Sequence, residues 1–278
     1  MFGLFRSKSA PDLLVHPPDL GEGRRAYAIG DIHGRLDLLT DLIDMIAADD
    51  MARGPAASTE LIFLGDYVDR GADSAGVIDY VLRLREWWPL ITCLRGNHEE
   101  VFLMAARGDE SALRFMTRIG GRETLLSYGA TEEDLDNMTL GELRDWLMAT
   151  IPEAHLAFLE SLQDQAIIGN YAFVHAGIRP EVAMADQEGK DLRWIRDEFL
   201  FYDDPHEYFV IHGHSITSGV EERPNRIGID TGAYASGALT AAGLEGTERW
   251  FLTTAPSPSS MEPQTESPPN PELPSGGD

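Results

Sequence analysis

The chain has 278 residues, 43% of them hydrophobic and 25% charged, so it carries enough apolar material for a sizeable core in a globular domain. Its formal net charge of −25 argues against a nucleic-acid partner, whose phosphates need neutralising by Lys and Arg; an anionic substrate must be drawn in by a few arginines or by bound cations. The single cysteine, Cys93, excludes an intramolecular disulfide, and no apolar run reaches membrane-spanning length, so no membrane partner and a reducing, cytoplasmic setting are expected.

Residues 1–25 carry Pro11, Pro17 and Pro18 with no sustained period and read as a flexible arm. Its first eight residues have too short an apolar stretch for a secretory signal. A β-type run, Ala26-Tyr27-Ala28-Ile29, precedes a helix from about Arg35, where Leu36, Leu39, Ile43 and Ile46 fall at helical spacing. A second run, Leu61 to Leu64, precedes a helix over about 74–87, and a third run covers Leu90 to Leu94. That order predicts parallel strands joined by right-handed crossovers. A helix-rich stretch over about 100–162, broken at Gly120-Gly121 and Gly129, reads as a cap or insertion. Strands resume at 166–168, 171–174, 208–211 and 226–229, and their close spacing predicts a second, more antiparallel sheet. From residue 255 the chain is rich in Pro, Ser and Glu without an aromatic residue, and is expected to be a disordered tail. One catalytic domain over 26–254 is therefore expected between arm and tail.

Five polar clusters follow these apolar runs: Gly30-Asp31-Ile32-His33-Gly34, Gly65-Asp66-Tyr67-Val68-Asp69-Arg70-Gly71, Arg95-Gly96-Asn97-His98-Glu99, His175-Ala176-Gly177 and His212-Gly213-His214. Strand carboxyl ends line one rim of a sheet, so separated segments can meet there. The residue types are carboxylate, imidazole and amide, with no thiolate. Such donors suit Mn, Fe or Zn rather than a tetrathiolate zinc, and they suffice for two divalent ions with one bridging carboxylate. No block matches the phosphate-binding pattern G-x-x-x-x-G-K-[ST].

The blocks GDIHG, GDYVDRG, LRGNHE, VHAG and GH, in that order, resemble the signature of the phosphoprotein phosphatase family of serine/threonine phosphatases, within the calcineurin-like metallophosphoesterases, and are similar to its small bacterial and phage members. The resemblance implies an α/β (α+β) fold of two packed mixed sheets flanked by helices, with the helical insertion. It implies that Asp31 and His33 bind the first metal, Asp66 bridges, and Asn97, His175 and His214 complete the second. His98 would be the general acid, oriented by Asp69, and Arg70 would grip phosphate. Leu192-Arg193-Trp194-Ile195-Arg196 resembles the W-x-R element of small members, which makes Arg196 the second phosphate arginine. The implied reaction is one-step hydrolysis by a hydroxide held between two divalent ions, Mn in first place and Fe or Zn as alternatives.

Single clusters have plainer readings. Asp31, Asp66 and Asp69 could cap helices, and Arg70 could be a surface charge. His175 alone would more often be structural, and His212 is read as packing rather than ligating. His16, His155 and His206 are expected at the surface, and Cys93 in the core. Arg95 and Glu99 are expected as buried partners, and Asp230 as the support of a rim loop. The expected substrate is a phosphoprotein or a small phosphorylated molecule, with phosphoserine or phosphothreonine in proteins preferred and a dinucleoside polyphosphate such as diadenosine tetraphosphate as the alternative. A non-catalytic binding protein is a third reading, against which stand the intact metal and proton-transfer positions.

Overall fold

The computed structural model describes residues 13–14 and 16–254. Strand β1 (Arg24–Ile29) sends alternate side chains to opposite faces, and both faces are covered. Tyr27 and Ile29 enter one core, while Ala26 and Ala28 enter another. Helix α1 (Leu36–Arg53) lays Leu39, Leu42, Ile43 and Ile46 against the first of these. Strand β2 (Ser58–Phe63) follows, then helix α2 (Ser74–Leu84), whose first turn is capped by Asp73 accepting the Gly76 amide at 2.8 Å. Strand β3 (Ile91–Cys93) completes a parallel trio, with Ala28 opposite Ile62 and Ile62 opposite Thr92. The parallel pairing read from the sequence is present.

Six helices come next: α3 (Asn97–Ala106), α4 (Glu110–Met116), α5 (Gly121–Ser127), α6 (Glu132–Asn137), α7 (Leu140–Thr150) and α8 (Glu153–Glu160). They do not sit apart as a cap. Phe102, Leu113, Met116, Leu125, Leu147 and Phe158 share one buried core with Tyr27, Ile29 and Phe63. At about 1.5–3 kcal/mol for each large apolar side chain removed from water, this burial makes the helices part of the domain's own core.

The chain then runs through β4 (Gln165–Ile168), β5 (Tyr171–Val174), α9 (Gly189–Trp194), α10 (Asp197–Leu200), β6 (Phe209–His212), β7 (Glu221–Glu222), β8 (Arg226–Gly228), α11 (Ala233–Ser236), β9 (Thr240–Glu245) and β10 (Glu248–Thr253). The second sheet has the order β4-β5-β6-β8-β7. It is antiparallel only at its two edges; β5–β6 and β6–β8 are parallel. The expectation of a more antiparallel sheet is corrected here. The segment joining β5 to β6 holds two helices and is long enough to cross over. The hairpin β9–β10, which the sequence reading did not single out, turns at Gly246 (φ 54°) and returns to the first sheet, giving the order β10-β9-β1-β2-β3.

Ile62, Leu64 and Leu94 of the first sheet meet Phe173, Phe209, Ile211 and Ile227 of the second. The outer face of the second sheet, with Val174 and Val210, is covered by Leu192, Ile195 and Phe199. Part of the expected arm is packed: Pro18 and Leu20 are buried, the Leu14 amide donates to the His206 carbonyl, and β1 begins at Arg24. Residues 1–12 and the tail expected from 255 lie outside the described residues. Among the described residues no helix is long and apolar enough to cross a membrane.

This topology brings the carboxyl ends of β1, β2, β3, β5, β6 and β8 to a common rim. The Ile32 amide donates to the Asp66 carbonyl at 3.0 Å, His175 Nδ1 to the Leu64 carbonyl at 2.9 Å, and the Gly213 amide to the His175 carbonyl at 2.8 Å.

Candidate metal centre

Among the described residues, six that are not glycine have positive φ. Five of them are His33 (46°), Asp66 (52°), Asp69 (72°), Arg70 (70°) and His214 (62°), all expected site residues. Left-handed backbone costs an L-residue roughly 1–3 kcal/mol, so the surrounding packing holds these turns against their own preference. Glycines make room between them. A side chain at position 213 would run into the Asp31 carboxylate, and one at position 96 into that of Asp66.

Two groups of potential ligands result. His33, Asp66 and His98 offer donor atoms within 4.8 Å of one another, and so do Asp66, His175 and His214. Asp66 belongs to both, which is the position a bridging carboxylate needs. The donor chemistry fits cations. His175 gives its Nδ1 proton to the Leu64 carbonyl, so its Nε2 presents a lone pair, 3.0 Å from Asn97 Oδ1 and 3.4 Å from Asp66 Oδ1. His214 Nδ1 lies 2.9 Å from the same Asn97 oxygen, and its buried Nε2 has no hydrogen-bond partner. His33 likewise gives Nδ1–H to the Val68 carbonyl at 2.8 Å and turns Nε2 towards Asp66 Oδ2 at 3.5 Å. Lone pairs facing lone pairs in a buried space are what a divalent ion reconciles.

The charge balance separates these groups. Burial works against the Asp66 carboxylate, yet His175, His98, His33 and His214 hold its pKa far below the usual range. Burial works in the opposite sense on His33, His175 and His214, lowering their pKa. Asp31 goes the other way: burial, then the neighbouring Asp230 and Asp66, push its carboxyl well up. Asp31 is also held from the second sheet. Both its oxygens accept the His214 amide, at 3.2 and 3.0 Å, and it lies outside the two groups, while His98 lies inside the first.

His98 differs from the other histidines in its partner. Its Nδ1–H donates to Asp69 Oδ2 at 2.6 Å. Burial and Arg70 oppose its protonation, but Asp66 and Asp69 outweigh them and raise its pKa. Asp69 is itself held by residues that sequence reasoning passed over. Thr124, on α5 and 55 residues away in sequence, donates to Asp69 Oδ1 at 2.7 Å, and Thr124 and Ser74 both accept its amide. Glu99 accepts the amides of Asp66, Tyr67 and Gly96 at 2.7–2.9 Å and of Val68 at 3.3 Å, fastening the whole second block; burial and Asp66 push its carboxyl up to about 8. Arg95 donates to the carbonyls of Leu159, Glu160 and Leu162, so neither flanking residue pairs with the other.

Two arginines face this space without a carboxylate partner among the described residues. Arg70 donates to Nε2 of His33 at 3.1 Å, and its other terminal nitrogen stands 3.2 Å from Nε2 of His98. Arg196 reaches only Ser215 Oγ, at 3.5 Å, and burial lowers its pKa. Arg193, in the same segment, is tied to Glu100 and Asp164 and so is unavailable. Tyr234 was also missed: its ring stands 5.5 Å from that of His33 and 4.8 Å from the Arg70 guanidinium. The only hint in the sequence was its position just beyond a strand-end polar cluster.

The remaining histidines divide. His212 lies on β6 with Nε2 3.1 Å from Arg226, away from both groups. His16 is exposed, but His155 and His206 are buried, correcting their expected surface positions. His155 bridges Tyr128 (2.8 Å) and Asp79 (3.0 Å), and His206 stacks on Phe199 and Tyr202; their ring nitrogens and faces find partners that sequence cannot display. Cys93 is buried as expected.

A family model described as calcineurin-like phosphoesterase matches residues 24–238. The chain belongs to this family of metal-dependent hydrolases. It is similar to a symmetrical bis(5'-nucleosyl)-tetraphosphatase of Dechloromonas aromatica (strain RCB), 32% identical over 155 residues, which are 56% of this chain and 44% of that protein. It is also similar to the serine/threonine-protein phosphatase SIT4 of Candida albicans, 31% identical over 162 residues, covering 57% and 41%. The matched region spans less than half the length of either curated relative. A crystal structure provisionally described as a diadenosine tetraphosphatase superposes with a TM-score of 0.56 at 22% identity, covering 82% of this chain and 93% of that one, and shows the fold. These similarities agree with the phosphoprotein phosphatase blocks.

Proposed function

We propose that this protein hydrolyses phosphate monoesters at the rim formed by Asp31, His33, Asp66, Asn97, His175 and His214, with phosphoserine or phosphothreonine in proteins as the preferred substrate. The observation that carries the reading is Asp66 shared by two ligand groups, with His98 and two carboxylate-free arginines beside them. Two divalent ions, Mn in the first instance, would supply Lewis acidity, polarising the phosphoryl group and acidifying water near neutral pH. Arg70 and Arg196 take the phosphoryl oxygens and stabilise their growing charge. His98, kept protonated by Asp66 and Asp69, gives its Nε2 proton to the leaving oxygen as the bond from phosphorus to that oxygen breaks. Thr124 and Ser74 hold Asp69, and Asp69 holds the imidazole, so the proton is aimed before substrate arrives.

A second reading, hydrolysis of bis(5'-nucleosyl) tetraphosphates, is favoured by the similarity to the Dechloromonas protein. Turnover of a phosphothreonine peptide and of diadenosine tetraphosphate by the chelator-stripped, Mn-reloaded protein decides between them. Faster peptide turnover supports the first reading, faster nucleotide turnover replaces it with the second, and no turnover with Mn, Fe or Zn sinks both.

A further inference from the structure

Asp230 is buried at 1% exposure just beyond β8, and the proposed reaction gives it no task. Its carboxyl makes two contacts of different kinds. Oδ1 accepts the Gly232 amide at 2.9 Å, and the carboxyl group lies beside that of Asp31, the two acting on each other's charge. Gly232 (φ 66°) opens the turn that carries Tyr234, whose ring stands against His33 and Arg70. The Asp230 carbonyl accepts the Thr217 amide at 3.0 Å, tying in the segment that follows His214. One residue thus touches the supports of both the first-sheet and the second-sheet donors.

Charge makes the position more pointed. Asp31, Asp66 and Asp230 are all buried here, and among the described residues no Arg or Lys forms an ion pair with any of them; Asp66 pairs only with histidines. Arg70 and Arg196 act on these carboxylates only from beyond ion-pair distance, and closely spaced buried carboxylates are strongly disfavoured, so a residue kept only to hold a turn would be better as Asn, which accepts the same amide. Two divalent ions bring four positive charges. Asp31 and Asp66 answer two of them, and Asp230 would answer a third.

We propose that Asp230 is a positioning and charge-balancing residue of the metal centre: it orients Asp31, anchors the Tyr234 turn, and has its negative charge neutralised by the bound ions. The inference rests on the two-ion reading. Its test is Asp230→Asn, compared with wild type by Mn titration calorimetry after chelator stripping and by thermal melting with and without Mn. In the stripped protein Asn removes a like charge beside Asp31 and can donate to it, so the melting midpoint should rise. In the Mn-saturated protein the midpoint should fall below wild type, and Mn affinity should weaken about 10- to 100-fold, as when a group that orients a metal ligand is lost. A role confined to holding the turn would leave Mn affinity alone. Wild-type Mn affinity in Asp230→Asn therefore overturns the inference, whatever the melting shift. Should Asn prevent folding, Asp230→Ser keeps a hydroxyl for the Gly232 amide, and the same titration decides on it: weakened Mn affinity supports the inference and wild-type affinity overturns it. Wild-type protein that takes up no ion overturns the two-ion reading and this inference together, whereas two-ion uptake with an indifferent variant overturns the inference alone.

Discussion

The two ligand groups share Asp66 but are built from different chemistry. The group with the two second-sheet histidines surrounds Asp66 with lone-pair donors: His175 is locked on a backbone carbonyl, Asn97, delivered from the end of β3, lies against both histidines, and burial lowers the His214 pKa. The first-sheet group adds a histidine with a raised pKa and, beside it, a guanidinium. His98 has its pKa raised by Asp66 and Asp69, and Arg70 lies against two imidazoles without a carboxylate. Under the proposed function this contrast would be a division of labour, in which the second-sheet side would retain ions and the first-sheet side would add proton transfer and phosphate binding. The helices α3 to α8 take part in that division, since Thr124 reaches Asp69 and the Gly120 carbonyl accepts the Arg70 amide at 2.7 Å.

Removing the shared residue should disable both sides at once. Asp66→Asn is expected to lower Mn-dependent turnover of a phosphothreonine peptide by on the order of 10³-fold or more, because it takes away the charge common to both groups. Steady-state rates near wild type would remove Asp66 from the centre. The two sides separate in the next pair. His98→Asn should lower kcat by about 10²- to 10⁴-fold while Mn uptake stays intact, the range expected for loss of a general acid. His175→Asn should lose Mn uptake as well as rate. Elemental analysis of the desalted variants checks both; loss of Mn in His98→Asn would make that histidine a ligand instead of an acid.

A smaller effect concerns pH. The His98 pKa is raised in the fold, so its acid form persists to higher pH and is lost as pH climbs through the folded value. Asp69→Asn withdraws one of the two carboxylates responsible. The alkaline limb of kcat should therefore move to lower pH, and a limb that stays in place would assign it to another group.

The smallest expected change tests the contrast at the level of stability. The second sheet's outer layer buries His206, whose pKa burial and Arg226 lower from 6.5 to about 4. Its unfolded form binds a proton below about pH 6.5 and the folded form does not. Stability should then be lost as pH falls from about 6.5 to about 4, by an amount on the order of 2–3 kcal/mol for this group. His206→Phe keeps the stacking on Phe199 and Tyr202. It should narrow the difference in melting midpoint between pH 7 and pH 5; an unchanged difference would place the acid sensitivity elsewhere, with His212, also lowered to about 4, as the next candidate.

Local sequence was sufficient for what depends on local chemistry. Short apolar runs and helical spacing marked β1, α1, β2 and α2, and glycine-flanked polar clusters marked the residues that stand at the strand ends. The same clusters could not show which donors fall together. Asp31 is held from the other sheet by the His214 amide, a tertiary contact that no local pattern displays. Thr124 and Tyr234 carry no signal of their own, since a threonine on a helix and a tyrosine beyond a strand are ordinary until the fold delivers them to Asp69 and to Arg70. His155 and His206 were misplaced for the converse reason: isolated histidines look polar in sequence, and only packing supplied the partners that let them be buried. The parallel core of the second sheet was likewise invisible from strand spacing, because the direction of pairing is set by how the 175–208 segment crosses the sheet. Residue type and short-range period, both written in the chain, specify which chemistry is present and at which strand ends it stands. Which atoms face each other, and which charges go unanswered, followed only from the packed fold, since burial and pairing join residues far apart in the chain.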